Sequence, residues 1–174
     1  MSISLRDNRT RRICFDAMMV ALAMMLSYLE VILPFNLLIP LPGFRLGLAN
    51  VIVLLVFALV SPIDAAIVSA MRIFLMGLLF GSATSFYFSA MGGFFAFLML
   101  VFCMLLLRRS SFFGVSVLCA ASHNCGQILA AASLFGSAVI FSYLPLLLIA
   151  SAVYGGVVGV LLNLLMPRMK RFFA

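Results

Sequence analysis

The side chains most able to do chemistry are concentrated in the stretch CAASHNCGQILAAAS, residues 119–133. Cys119, His123 and Gln127 follow one another at intervals of four residues, so in a helix they share one face, with Asn124 rotated from His123 by about 100°. An amide or an imidazole in hydrocarbon is costly unless a partner hydrogen-bonds it. The stretch therefore predicts polar partners on other helices.

Further polar residues are available as those partners. Glu30 lies near the end of the first apolar run, Arg45 and Asn50 lie at the start of the second, and Arg72 lies in the middle of the third. Arginine offers a forked, permanently charged donor for carboxylate or phosphate, while His, Asn and Gln both donate and accept hydrogen bonds. Such an inventory suits a small anionic or heterocyclic metabolite. The predicted binding residues are Glu30, Arg45, Asn50, Arg72, His123, Asn124 and Gln127.

Each of these residues also has a purely structural interpretation. A lone intramembrane His or Asn often makes one interhelical hydrogen bond, and Glu30 with Arg45 or Arg72 fits a buried ion pair. The grouping of several such residues is what favours a pocket, because ionisable groups that face the interior of a membrane protein commonly mark a substrate path.

The composition predicts an integral membrane protein built from helices. Of the 174 residues, 67% are hydrophobic and 9% are charged, with a mean hydropathy of +1.34, whereas about a quarter of the residues in a soluble domain are charged. The apolar runs are continuous and longer than a barrel strand. We predict one all-α domain of about six transmembrane helices, near residues 13–33, 46–60, 63–80, 86–107, 112–134 and 143–166.

The basic residues predict the orientation of this bundle. The domain spans residues 1–174, with a basic lead at 1–12, the helices at 13–166 and a basic tail at 167–174. Nine of the eleven cations form three clusters: Arg6, Arg9, Arg11 and Arg12; Arg108 and Arg109; Arg168, Lys170 and Arg171. The positive-inside rule then places both termini in the cytoplasm, and the net charge of +7 gives no reason to expect nucleic acid as a partner.

Several kinds of catalytic site are disfavoured by the sequence. A P-loop needs a lysine after its glycines, and the only lysine is Lys170 in the tail. The chain has a single histidine and no zinc-type spacing of Cys and His. The four acids Asp7, Asp16, Glu30 and Asp64 are scattered, whereas magnesium-dependent chemistry on a diphosphate needs clustered carboxylates. We therefore expect no catalytic residue, no metal site and no cofactor in this chain.

Two pairs of small residues predict close helix contacts. Ala17 and Ala21 lie in the first helix, and Gly155 and Gly159 lie in the last. Small residues four positions apart let two helices approach closely. Packing within the chain is the simpler interpretation, and docking of a partner subunit is the alternative.

Three stretches carry a resemblance to a known family: PGFRLGLAN at 42–50, RIFLMGLLFGSATSFYFSAMGG at 72–93 and SHNCGQ at 122–127. In this order and spacing they resemble the bacterial membrane family labelled heptaprenyl diphosphate synthase component I or Gx transporter. That family is similar to the substrate-binding S components of energy-coupling factor (ECF) transporters.

The resemblance implies a six-helix subunit of the bacterial cytoplasmic membrane that captures a vitamin-like or cofactor-precursor metabolite from outside. Its partners would be this metabolite, membrane lipid and an ECF coupling protein driven by two ATPases. Docking in that family uses small residues on the first helix, which Ala17 and Ala21 match, although the next position of the pattern is Met25.

A different role is also compatible with the sequence. The chain has no aspartate-rich DDxxD motif, so a prenyl synthase activity of its own is not expected. It could instead be a membrane accessory subunit of a quinone, isoprenoid or flavin-linked extracellular electron-transfer system. Such a subunit would co-purify with a redox or prenyl-transferring protein and without an ATPase.

Overall fold

The computed structural model describes residues 9–32, 47–106 and 111–173, and this part of the chain is a bundle of helices. The elements in chain order are α1 (Arg9–Ile32), α2 (Asn50–Leu59), α3 (Pro62–Phe80), α4 (Ala83–Leu106), α5 (Phe112–Phe135), a 3-10 helix (Ala138–Tyr143) and α6 (Leu144–Phe173). The predicted all-α membrane bundle is confirmed. Within the described residues, five helices are long and apolar enough to cross a membrane.

The second helix is much shorter than predicted. It was expected over 46–60, but α2 has ten residues, which at 1.5 Å per residue span only about 15 Å. The helix does not begin earlier, because Gly47 has a left-handed φ of 81° and Leu48 and Ala49 form a turn. α2 therefore crosses about half of a hydrocarbon core that is about 30 Å thick, and Asn50 begins it near mid-depth.

Local sequence signals explain where the neighbouring helices begin and end. Ser61 accepts a hydrogen bond from the Asp64 backbone N–H at 3.3 Å, and Pro62 occupies the first turn of α3, as expected for a proline that starts a helix. Ser111 caps α5 in the same way through the Gly114 N–H at 3.2 Å. Gly136, with a φ of 61°, ends α5 and returns its N–H to the Ala132 carbonyl.

The helix α5 forms the centre of the bundle because its glycine contacts let α4 and α6 approach it on two sides. A methyl group built on Gly126 would lie 2.7 Å from the Met91 carbonyl oxygen of α4. On the other side, methyl groups built on Gly155 and Gly159 of α6 would each lie 2.6 Å from an α5 Cα atom. The prediction that this glycine pair packs within the chain is confirmed.

Two apolar cores fill the described part of the bundle, and a polar layer lies between them. The inner core includes Phe15, Val60 and Leu162 and reaches up to Ala49 and Cys119. The outer core includes Phe88, Ile128 and Leu147. Asn50, His123 and Gln127 are buried between these cores. The fold therefore places these three predicted site residues where the two cores meet.

Candidate binding site

The first element of the site is the amino-terminal end of α2 and the carboxylate that faces it. The backbone N–H of Leu48, in the turn before α2, donates a hydrogen bond to Glu30 Oε1 of α1. This end of a helix carries a partial positive charge and unpaired N–H groups, so it stabilises a carboxylate. Glu30 is buried, as expected for a site residue, and this hydrogen bond connects it to the turn before α2.

The second element is His123, which lies between two amides. Asn50 Nδ2 is 3.4 Å from His123 Nδ1, and Gln127 Nε2 is 3.2 Å from His123 Nε2. A neutral imidazole has one donor and one acceptor nitrogen, so one amide must present its NH₂ and the other its oxygen. The predicted shared face of His123 and Gln127 is confirmed, and His123 is only 2% exposed.

Two glycines make room for this imidazole. A methyl group built on Gly92 of α4 would lie 2.7 Å from His123 Cε1, and one built on Gly47 would lie 3.1 Å from Cδ2. The ring is therefore enclosed by the backbones of two other segments. A ligand that reaches the imidazole would therefore approach along its nitrogen-bearing edges, at Asn50 and Gln127.

Arg72 of α3 joins the same region through α1. Its Nη1 donates a hydrogen bond to Ser27 Oγ at 3.0 Å, and the residue is 2% exposed. Ser27 and Glu30 are three positions apart in α1 and thus share one face. The guanidinium and the carboxylate are therefore held on neighbouring turns of one helix face.

Small cavities mark the inner side of the polar layer. Two voids of about 10 Å³ each are both lined by Asn50, Leu54 and Cys119, which is close to the least volume that holds one water molecule, about 10–15 Å³. Ser116 Oγ lines one of them and is buried without a hydrogen-bond partner among the described residues. Among the described residues, the inner side of the polar layer therefore has water-sized space at Asn50.

The structure places the remaining predicted residues elsewhere. Asn124 faces α6, where its Nδ2 donates to the Leu147 carbonyl at 3.0 Å and to Ser151 Oγ at 2.7 Å. It is therefore in the α5–α6 interface and has no hydrogen bond with His123 among the contacts that the described residues make. Arg45 lies outside the described residues. The site also lies deeper than the outer half where it was expected, since His123 is near the middle of α5.

Replacing Asn124 with leucine tests this placement. Because the substitution removes interhelical hydrogen bonds, we expect it to lower the free energy of unfolding by about 1 kcal/mol and to leave ligand affinity unchanged. Unfolding of the purified protein in detergent measures the first quantity, and ligand retention measures the second. A large loss of ligand in a protein of near-normal stability would instead place Asn124 in the binding site.

Comparison with known proteins identifies the family of the chain. Residues 19–165 match the family model of heptaprenyl diphosphate synthase component I. The chain belongs to this family. No curated protein and no solved structure matches it.

The match to the heptaprenyl diphosphate synthase component I family covers every described residue of the polar layer. Glu30, Asn50 and Arg72 lie within it, as do His123 and Gln127. The match begins after Arg12 and Ala17, so the inner end of α1 lies outside it.

That inner end holds a second polar cluster, which the sequence interpretation missed. Arg12 Nη2 lies 2.7 Å from Asp64 Oδ1 in a salt bridge, and Ser61 Oγ donates to Asp64 Oδ2 at 2.6 Å. Asp16 and Asp64 line one groove between α1 and α3, so these two acids are not scattered as expected but lie close together. Residues 16 and 64 are far apart in sequence, which is why no spacing reveals the pair.

A groove of about 710 Å³ opens beside this cluster, between α1 and α3. Ala17 lines it, and Ala21 is exposed one turn further along α1. Among the described residues, no group of three or more His, Cys, Asp or Glu side chains could hold a metal ion. The cluster fastens α1 to α3, and its groove leaves the small residues of α1 accessible.

The main residues that sequence reasoning missed are the small ones around the imidazole. Gly47 and Gly92 enclose the ring, and Ser27 receives the Arg72 hydrogen bond. The adjacent glycines Gly92 and Gly93 in an otherwise apolar helix are the one signal that could have indicated a close contact there.

Proposed function

We propose that this multi-pass membrane protein is the substrate-binding subunit of an uptake system, similar to an ECF S component, in the bacterial cytoplasmic membrane. It binds a small vitamin-like or cofactor-precursor metabolite and has no catalytic residue of its own. Partner subunits, a coupling protein and two ATPases, supply the energy for transport.

The polar layer at mid-depth is the observation that carries this proposal. It brings Glu30, Asn50 and His123 together from three helices, around the start of a helix that crosses only half of the membrane. Interrupted helices that end near the midplane, with their amino termini available to anionic groups, are typical of substrate sites in transporters. A purely structural bundle has no need to bury this many polar groups at the depth of the membrane.

The site residues favour a particular kind of ligand. Arg72 suits an anionic group, whereas the amino-terminal end of α2 already faces the Glu30 carboxylate. The amides of Asn50 and Gln127, arranged around His123, suit the polar edge of a ring. We assign Ala17 and Ala21, on the exposed face of α1, to docking of the coupling subunit.

The proposal is tested by ligand retention in native mass spectrometry of protein purified in mild detergent from its own host. We expect Arg72→Ala and His123→Ala each to weaken retention at least tenfold, a loss of about 1.4 kcal/mol or more. Arg168→Ala removes an exposed arginine of α6 and is the matched control. Unchanged affinity in folded Arg72→Ala and His123→Ala proteins would refute the pocket.

The description of the family favours a second candidate function. A component of a heptaprenyl diphosphate synthase would be an accessory subunit that contacts a prenyl or quinone system through the same polar layer. This candidate predicts co-purification with a prenyl-transferring or redox protein, whereas the uptake subunit predicts co-purification with an ATPase module. Mass spectrometry of the native complex separates the two.

A further inference from the structure

An apolar groove opens toward the membrane between α3 and α4. Its volume is about 440 Å³, within the roughly 300–1,000 Å³ typical of ligand pockets. The walls are aromatic, with Phe74, Phe86, Phe94 and Phe97, and small residues such as Ala70 line the rest. Of the described residues that line the groove, Ser69 alone has a polar side chain.

The groove leads toward the polar layer. It shares Ser69, Gly93 and Phe97 with the water-sized void that Asn50 lines on the inner side of the site. The groove and the void therefore lie on opposite sides of one thin wall, which these shared residues form. A path from the membrane to Asn50 has only this wall to cross.

This wall is made of side chains that can move. Gly93 contributes no side chain, and a methyl group built on it would lie 2.7 Å from Ile73 Cδ1 and 3.8 Å from Ser69 Oγ. The tip of Ile73, the Ser69 hydroxyl and the Phe97 ring therefore separate groove from void. Rotamer changes of such groups need no shift of a helix and are fast on the timescale of ligand binding.

We propose, on the basis of the proposed function, that the substrate is amphipathic and enters from the membrane between α3 and α4. Its polar head lies at Asn50 and His123, and a single apolar chain occupies the α3–α4 groove. The site thereby selects membrane-soluble molecules over water-soluble ones.

Other occupants fit the groove less well. A transmembrane helix is about 10 Å across, so it could cover the mouth of the groove but not reach Asn50 behind Ser69 and Gly93. A phospholipid keeps its head group at the membrane surface, whereas Asn50 lies about 15 Å from the inner end of the bundle. A slender chain with a small polar head satisfies both the apolar groove and the polar void.

The test uses photolabelling in phosphatidylcholine nanodiscs with a C16 alcohol that carries a diazirine in its chain. We expect saturable labelling of α3 and α4 that falls at least fivefold in Ala70→Phe, which fills the groove, and in Asn50→Leu, which removes the partner of the head. Ala152→Phe, on the exposed face of α6, is the matched control and should label as the wild type does. Ala70 is exposed, so its variant tests the groove even if Asn50→Leu does not fold.

Two results would overturn the inference. One is equally strong labelling of the groove by the same diazirine chain on phosphatidylcholine, insensitive to Asn50→Leu, which would identify ordinary membrane lipid as the occupant. The other is a water-soluble native ligand that Arg72→Ala releases and Ala70→Phe does not, which would leave the proposed function intact. If neither Arg72→Ala nor His123→Ala affects any ligand, the proposed function itself fails.

Discussion

Replacing Gly155 with alanine is expected to lower the free energy of unfolding by about 2–3 kcal/mol, at the upper end of the usual cost of overpacking. The new methyl group would lie 2.6 Å from Val117 Cα and 3.0 Å from the Ser116 carbonyl oxygen. Both are backbone atoms of α5, so no side-chain rotation relieves the clash and α6 must move away. Thermal unfolding in detergent should show the midpoint lowered by roughly 5–10 °C.

Gly114→Ala is the matched control for this change. It also replaces a helical glycine in the same pair of helices, but its methyl group would meet only Ser111 Oγ, at 3.7 Å. Since alanine is favoured over glycine in a helix by up to about 1 kcal/mol, this variant should be as stable as the wild type or more so. Equal stability of the Gly155→Ala protein would show that α5 and α6 are not packed backbone to backbone.

The second large effect is expected at Glu30. Glu30→Leu leaves the Leu48 N–H without its acceptor inside the bundle and removes the carboxylate from the α2 terminus. An unsatisfied buried group costs about 1–3 kcal/mol, and the favourable helix-end charge contributes about 1 kcal/mol more. We therefore expect a loss of stability of about 2–4 kcal/mol, measured by unfolding in detergent.

Glu30→Gln separates these two contributions, because its amide oxygen still accepts a hydrogen bond while the charge is gone. It should cost about 1 kcal/mol. Asn163→Leu, which also replaces a polar side chain by leucine but at an exposed position of α6, controls for the change in hydrophobicity. If Glu30→Leu is no less stable than Glu30→Gln, the hydrogen bond to Leu48 does not hold α2 in place.

The fold class could be predicted because composition and long apolar runs are sufficient for it. The extent of α2 could not, since VIVLLVFAL is as apolar as any spanning helix and its late start depends on one left-handed glycine, Gly47. Apolar periodicity reports which face is buried, but it does not report whether a helix reaches the surface of the membrane.

The site was predictable only within a single helix. The spacing of His123 and Gln127 gave their shared face, and the same periodicity could not tell that Asn124 would face α6 and bind Ser151. Contacts between helices depend on how far each helix is rotated about its axis and on its depth in the membrane, and a single sequence specifies neither. For that reason the enclosure of His123 by Gly47 and Gly92, and the closeness of Asp16 to Asp64, emerged only from the three-dimensional arrangement.

The ten-residue length of α2 also bears on how the protein is made. A segment this short lacks the roughly 20 apolar residues that mark an independent membrane span, so α2 must enter the bilayer together with α3, to which the turn at Ser61 joins it. Glu30 is synthesised earlier and is already in the membrane to accept the Leu48 N–H. His123 is synthesised later, and until α5 arrives Asn50 lacks its imidazole partner. Helices α1 to α4 therefore precede α5 with a polar centre that still lacks its imidazole, and α5 completes it.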